Sequence, residues 1–285
     1  AFFDQRDVAR LEGGPRREGA PTHGRADVFN PIRFQRLGRP IDDAIGSADM
    51  MPLWSMARRE PQGLFWNGLQ GTLRDAVVTS ALGAGASRPW LDADIAKWAR
   101  TDAPRMSSLR RIQRYIADLK PPSYPFSVDQ GTAAAGQAVY AVECAHCHSR
   151  TGTQATSPPA ADTDRRRLSA WTTDASVAYD AFSRRRAWRS TSFGTGEQYA
   201  PVPLDGLWIR APYLHNGSVP SLRDLLEAPR NRPTRFWRGY DVYDPVSVGF
   251  LSDGPDARRM GTLHDTSQLG NANVFFFDEN GEQIL

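Results

Sequence analysis

The chain has 285 residues, of which 40% are hydrophobic, and its 35 Lys and Arg outnumber its 32 Asp and Glu to give a formal net charge of +3. This composition is that of an ordinary globular protein. The chain contains no run of about 18 apolar residues, which is the length that a transmembrane helix requires. Arginine runs at 165–167 and 184–189 supply much of the basic charge, but no nucleic-acid recognition motif accompanies them. We therefore expect no nucleic-acid partner. The arginines are interpreted as solvated, or as a basic surface that faces an acidic redox protein.

The N-terminal part of the chain predicts an arm followed by helices. Residues 1 to about 30 are rich in Gly, Pro and Arg, which is typical of an extended arm. Short helices are predicted over 70–84 and 91–104. The clearest helix lies in "SSLRRIQRYIADLKPP", where a serine can cap the N-terminus and apolar residues recur three and four positions apart. These apolar residues are Leu109, Ile112, Ile116 and Leu119.

A double proline, Pro121-Pro122, ends this helix and marks the predicted domain boundary. It separates an N-terminal arm and helical region, residues 1–122, from a second domain, residues 123–285, on which the first is expected to pack. In the second domain "DQGTAAAGQAVYAVE" predicts a long helix, and "SVPSLRDLL" predicts a shorter one that Ser221 can cap. Residues 149–200 are rich in Ser, Thr and Arg and predict loop. The whole pattern predicts a mainly α fold with long irregular loops.

Both cysteines of the chain lie in "CAHCH", residues 144–148. The spacing C-x-x-C-H is typical of covalent attachment of c-type haem. Cys144 and Cys147 lie about one helical turn apart, so each thiol can add to one vinyl group of the porphyrin, and His148 can then bind the iron as the proximal ligand. His146 is expected to be a spacer. The motif predicts one covalently attached haem c.

A disulfide, a dithiol redox pair or a zinc site fits this motif less well. A disulfide leaves the adjacent histidine without a role, and a thioredoxin-like redox pair requires a βαβ setting that the Ala/Gly-rich helix before the motif does not provide. A zinc site needs more ligands than the chain clusters nearby. Haem c attachment requires reduced thiols and normally takes place outside the cytoplasmic membrane. We therefore expect a periplasmic or otherwise exported protein, and the start at Ala1 suggests a processed N-terminus.

The second face of the iron has three candidate ligands, His215, His264 and Met260. His215 follows His148 at about the distance along the chain that a small cytochrome fold uses for its second ligand. Each candidate also has a structural alternative, since a loop histidine is often hydrogen-bonded locally and a methionine often packs in the core. If no side chain binds, the iron is five-coordinate and open to O2 or peroxide.

The run "APYLHNGSVPSL", residues 211–222, resembles a signature of the bacterial di-haem cytochrome c peroxidase superfamily, and is most similar to its rubber-cleaving di-haem oxygenases. The runs "FNPIRF", "FWNG" and "PPSYPF" fit the same branch. The resemblance extends from about residue 25 to 273. It implies that residues 123–285 form a cytochrome c-like haem domain. The chain then either corresponds to the C-terminal haem half of such a protein or belongs to a lineage that lost one haem. The resemblance also implies that Tyr213 and His215 lie beside the haem, with His215 as a pocket residue and not as an iron ligand.

The chain departs from this family in two ways. Relatives carry two C-x-x-C-H motifs and use both haems in catalysis, whereas this chain has one motif. In relatives, "GNxN" near the C-terminus is followed by Gly-His, whose histidine binds the C-terminal haem. Here "GNAN" at 270–273 is followed by "VFFFDENGEQIL". His264 and Met260, a few residues upstream, are the expected substitutes.

These observations predict a mono-haem c-type cytochrome that transfers single electrons to a redox partner protein or within a membrane-bound redox complex. The irregular arms at both ends motivate the role of a subunit, because extended segments need a partner surface to become ordered. The alternative is a haem peroxidase or dioxygenase that acts at an open iron coordination site. A third interpretation gives the haem a mainly structural role.

Overall fold

A computed structural model describes residues 23–40, 46–145, 148, 164–190 and 199–273. This part of the chain contains nine α-helices and three two-stranded antiparallel ladders of short strands. The fold is therefore mainly α, as the sequence predicts. Residues 1–22 of the predicted arm, the second cysteine Cys147 and the segment after "GNAN" lie outside the described residues.

The helices, in chain order, are α1 (Asn30–Gln35), α2 (Leu73–Gly83), α3 (Arg88–Ile95), α4 (Ser108–Asp118), α5 (Gln130–Glu143), α6 (Arg166–Ser169), α7 (Thr173–Ser183), α8 (Leu222–Leu226) and α9 (Pro255–Met260). The strands are β1 (Arg25–Ala26), β2 (Ala48–Asp49), β3 (Arg235–Arg238), β4 (Tyr243–Asp244), β5 (Gly249–Phe250) and β6 (Thr262–Asp265). They pair as β1–β2, β3–β6 and β4–β5.

Side-chain caps explain where the predicted helices begin. Ser107 accepts a hydrogen bond from the Arg110 N–H at the start of α4, and Asp129 caps α5 in the same way through Thr132. Ser221 caps α8 as predicted. The helix predicted over 91–104 lies earlier, as α3, because Ser87 caps it and a proline occupies its first turn.

The main hydrophobic core takes residues from both sides of the predicted boundary at 122/123. Helices α1 to α4 supply one side of it, including Leu73, Leu82 and Leu91. The other side comes from residues 170–188, where Trp171 and Trp188 are fully enclosed. The division into residues 1–122 and 123–285 stays a prediction.

Residues 149–200 are predicted to be mostly loop, but within this range residues 166–169 form α6 and residues 173–183 form α7. Thr172 caps α7 by accepting a hydrogen bond from Ala175 N–H, and the apolar side of this segment consists of widely spaced aromatic residues. Most of the intervening residues are Ser, Thr and Arg, so the composition predicts loop. The helices form because their few apolar residues pack against the rest of the core.

Helix α5 lies on the surface, and none of its residues is buried. Val139 is 61% exposed and Val142 is 76% exposed. A Cβ added to Gly136 would have no atom within 4 Å, so no other helix packs closely against α5 at this glycine. The close helix–helix approach that the small residues of α5 permit is not observed there. The helix is instead attached through the segment before it, where Phe126 stacks on Tyr243.

Replacing Asp94 with alanine is expected to lower the free energy of unfolding by about 1–3 kcal/mol. The Asp94 carboxylate joins α3 to the first turn of α4, because it accepts hydrogen bonds from Ser107 Oγ at 2.5 Å, Ser108 N at 2.8 Å and Leu109 N at 3.1 Å. Burial would raise the pKa of Asp94, but these bonds outweigh it and lower that pKa. The stabilisation is therefore present above about pH 4 and is lost as the carboxylate protonates at lower pH.

Urea unfolding at pH 7 and pH 3 measures this effect. The control is Asp102→Asn, because Asp102 is exposed and forms only a surface ion pair with Arg105 at 3.7 Å. This variant is expected to lower the free energy of unfolding by less than about 0.5 kcal/mol. Equal losses for the two variants would refute the capping role.

Candidate haem-binding site

The first thiol of the motif lies at the C-terminal end of α5. Cys144 is the C-cap residue, and its N–H donates to the Tyr140 carbonyl at 3.0 Å. The Cys144 thiol is half-buried and free of a disulfide. Because α5 is exposed up to this point, the thiol is accessible from the surface. Cys147 and the predicted spacer His146 lie outside the described residues.

His148 is held in place by three contacts. Its N–H donates to the Cys144 carbonyl at 2.9 Å, and the Tyr140 hydroxyl donates to the His148 carbonyl. Its ring Nδ1 lies 3.1 Å from the Val202 carbonyl oxygen. A carbonyl can only accept, so Nδ1 is the protonated nitrogen, and in the neutral imidazole Nε2 keeps a free lone pair. This arrangement is typical of metal-binding histidines. Together with the free thiol one turn earlier, it fits the attachment of haem c.

The Val202 carbonyl is itself positioned by two tryptophans of the N-terminal region. Ala200 N–H donates to the Trp66 carbonyl at 2.7 Å, and Trp54 Nε1 donates to the Asp205 carbonyl at 2.7 Å. Prolines at 201 and 203 flank Val202 and restrict its backbone. The sequence does not predict this contact, because a backbone carbonyl makes it. The rigid "PVP" run is the one signal that could have pointed to it.

The loop that contains Tyr213 and His215 is held by a buried ion pair. Arg238 Nη2 lies 2.9 Å from Asp49 Oδ1, and Arg238 Nη1 donates to the Gly217 carbonyl at 2.7 Å. A Cβ at Gly217 would lie 2.1 Å from Arg238 Nη1, and Gly217 has a φ of +60°, so only glycine fits. Leu214 also adopts a positive φ of 71°, a conformation that costs about 1–3 kcal/mol for a non-glycine residue.

His215 is buried, and its ring stacks on Tyr199 with the centroids 4.0 Å apart. Burial, with added repulsion from Arg167 and Arg25, lowers the pKa of His215 to about 3. The ring is therefore neutral at physiological pH. Tyr199 lies three residues before Val202, so the structure brings His215 and His148 to the same short segment of chain.

Tyr213 is also buried, but its hydroxyl is engaged with the backbone. It lies 3.0 Å from the Val248 carbonyl and 3.2 Å from the Leu207 carbonyl. The role of Tyr213 beside the haem stays a prediction.

The two remaining candidate ligands lie in different environments. His264 is completely buried on β6, where it pairs with Phe236 of β3 and their ring centroids lie 4.9 Å apart. Neither ring nitrogen forms a well-shaped hydrogen bond within the described ranges. Burial and nearby Arg25 and Arg238 lower the pKa of His264 to about 3, and the Asn271 backbone offsets this only in part. Met260, in contrast, is 52% exposed at the end of α9.

The basic runs are not uniformly solvated. Arg165 is exposed, but Arg167 is only 4% exposed and its guanidinium lies 4.3 Å over the Phe29 ring. The expectation of solvated arginines is therefore wrong for Arg167. Trp171 and Trp188 belong to the hydrophobic core. Trp208 is partly exposed, and its Nε1 donates to the Pro122 carbonyl at 3.0 Å.

Comparison with known proteins confirms the resemblance noted from the sequence. Residues 198–238 match the family described as RoxA-like, cytochrome c-like. This stretch includes Val202, the loop with Tyr213 and His215, and all of β3. The match supports a haem-binding redox protein of the cytochrome c type.

Two relatives come from Sinorhizobium fredii (strain NBRC 101917 / NGR234), and each carries the name of an uncharacterized protein. The first, y4iM, is 32% identical over 195 aligned positions that cover 57% of this chain and 45% of y4iM. The second, y4iJ, is 44% identical over 89 aligned positions that cover 30% of this chain and 14% of y4iJ. The chain thus spans less than half the length of either relative. No described helix is long and apolar enough to cross a membrane.

Proposed function

We propose that the protein is a mono-haem c-type cytochrome that transfers single electrons, with the haem attached covalently to Cys144 and Cys147 and ligated by His148. The observation that carries this proposal is the 3.1 Å contact between His148 Nδ1 and the Val202 carbonyl. It orients the imidazole, fixes its tautomer and leaves Nε2 available, one turn after a free thiol. When bound, the haem supplies an iron centre that accepts and releases one electron.

The exposure of the site favours electron transfer over catalysis. Helix α5 has no buried residue, and Cys144 and His148 are only half-buried. A haem attached there would present an edge at the surface, as electron exchange with a partner requires. An oxygen- or peroxide-activating site instead needs a pocket that excludes water. We infer that the partner is a redox protein or a membrane-bound redox complex, met outside the cytoplasm because haem c is attached there.

A peroxidase or dioxygenase is the second candidate function, and one observation favours it. Two of the three candidate ligands are held by other contacts, since His215 stacks on Tyr199 and His264 is enclosed against Phe236, and Met260 is exposed at the end of α9. This leaves room for an open coordination position opposite His148.

Absorption spectra of the reduced protein with and without CO distinguish the two functions. The carrier is expected to show a low-spin, six-coordinate spectrum that CO changes only slowly. Rapid CO binding to a high-spin ferrous iron would contradict the carrier and support the enzyme. The variants His264→Ala, Met260→Ala and His215→Ala then identify a side-chain ligand, because only loss of the true ligand converts the spectrum to high spin.

A further inference from the structure

A cavity of about 440 Å³ lies between α1, α2 and the chain around β2. Its volume falls within the roughly 300–1,000 Å³ of small-molecule sites. Most of its wall is apolar and includes Phe29, Ile32, Met56, Phe65, Trp66 and Leu69. None of Cys144, His148 and Val202 contributes to the wall. The cavity is therefore separate from the contacts that define the proposed haem site.

Most polar groups of the cavity wall are already hydrogen-bonded to the protein. Gln70 Nε2 donates to Thr79 Oγ1 at 3.3 Å, and Gln70 Oε1 accepts from Ser190 Oγ at 3.3 Å. The Asp27 carboxylate accepts from the Phe29 N–H at 3.0 Å and from the Asn30 side chain at 2.8 Å. These groups stabilise the wall and have little capacity left for a ligand.

Arg167 is the exception. It is 4% exposed, and its Nε and Nη1 have no hydrogen-bond partner in the described part of the chain. Burial lowers the pKa of Arg167 to about 10, so the guanidinium is charged at neutral pH. Asp27, Tyr199 and His215 are the titratable groups that act on it electrostatically, but no described carboxylate forms an ion pair with it. A buried charge without a hydrogen-bonded counter-ion is costly.

We propose that this cavity binds an amphipathic monocarboxylate such as a medium-chain fatty acid. Its carboxylate pairs with Arg167, and its chain packs against the apolar wall. The planar guanidinium is suited to a carboxylate, and its Cζ lies 4.3 Å from the centroid of the Phe29 ring. A neutral apolar molecule would leave Arg167 unpaired. A multiply charged anion would be repelled by Asp27.

Calorimetric titration of the purified protein with dodecanoate, and with dodecanol as the uncharged control, tests the proposal directly. Trp66 lines the cavity, so its fluorescence gives a second readout of binding. Dodecanoate is expected to bind at least about tenfold more tightly than dodecanol, because only the acid supplies a counter-charge. No dodecanoate binding, or equal binding of the two compounds, overturns the proposal, and this comparison needs no variant.

The variant Arg167→Met separates ligand recognition from a structural role. It is expected to weaken dodecanoate binding at least about tenfold and to leave the ligand-free Tm unchanged or higher, since it removes an unpaired buried charge. The control Arg165→Met, on the exposed neighbour, should bind like the parent protein. A lower Tm with unchanged dodecanoate binding would assign Arg167 to packing only.

A haem propionate is another carboxylate that could pair with Arg167, and the same variant distinguishes it from a fatty acid. In that case Arg167→Met shifts the haem reduction potential with no acid present and leaves dodecanoate binding unchanged, which overturns the proposal. The titration measures ligand binding without using the haem spectrum. A negative titration therefore leaves the proposed electron transfer untouched, and a protein without haem c would still allow the ligand-binding proposal to be tested.

Discussion

Replacing His148 with glycine is expected to leave the haem covalently attached but to remove the proximal ligand. The His148 imidazole is oriented by the Val202 carbonyl, and no other described side chain makes that contact. Loss of even an outer partner of a metal ligand typically costs 10–100-fold in metal affinity or activity, so loss of the ligand itself should reduce electron transfer by at least that factor. Absorption spectra and stopped-flow reduction measure the two effects.

Two further measurements make this prediction specific. Added imidazole should restore the low-spin spectrum of His148→Gly, because it refills the space of the missing ring. His146→Gly removes the other histidine of the motif and is expected to keep the parent spectrum and rate. A spectrum that changes in His146→Gly but not in His148→Gly would contradict the assigned ligand.

Replacing Arg238 with methionine is expected to lower the free energy of unfolding by about 3–5 kcal/mol, the loss typical of a broken buried ion pair. Arg238 is 3% exposed and binds both Asp49 and the Gly217 carbonyl. It therefore joins β2 to the loop that carries His215. Without it, the Asp49 carboxylate would stay buried without its ion-pair partner.

The loss should depend on pH in a defined direction. Burial, partly offset by Arg238, already raises the pKa of Asp49 to about 6, and removal of Arg238 raises this pKa further. A group with a raised folded pKa stabilises the protein at low pH and loses that contribution as pH rises through the folded pKa. The deficit of Arg238→Met should thus be largest at pH 7 or above and smaller at pH 5.

Urea unfolding at both pH values tests the ion pair. Arg235→Met, on the same strand, removes an exposed partner of Asp265 and should cost less than about 1 kcal/mol. The double variant Asp49→Asn with Arg238→Met should recover part of the loss, since it removes the uncompensated charge. A double variant that is no more stable than Arg238→Met would mean that the arginine acts mainly through the Gly217 carbonyl.

The features that the sequence predicts well are local ones. Helix α4 is recognisable from Ser107, the apolar spacing and the two prolines that follow it, because capping and periodicity are set by residues close in the chain. The C-x-x-C-H motif predicts chemistry for the same reason, since both thiols and the histidine lie within five consecutive residues. The resemblance at residues 211–222 is equally local, and the family match at 198–238 confirms it.

The features that the sequence does not reveal depend on long-range contacts. Arg167 lies in a basic run typical of a solvated surface, yet packing of α6 against Phe29 buries it. The Val202 carbonyl has no side-chain signature, and its position depends on Trp54 and Trp66. Residues 164–190 join the core through Trp171 and Trp188, whose spacing in a polar segment gives no clear helical period.

Intact-mass analysis of the purified protein under denaturing conditions tests the central claim, covalent attachment of one haem c, most directly. We predict that the mass exceeds that of the polypeptide by one haem, and that the added mass stays on the peptide containing Cys144, Cys147 and His148 after proteolysis. Two thiols at Cys144 and Cys147 that remain free to alkylate, with the haem absent or extracted by acidic acetone, would contradict it.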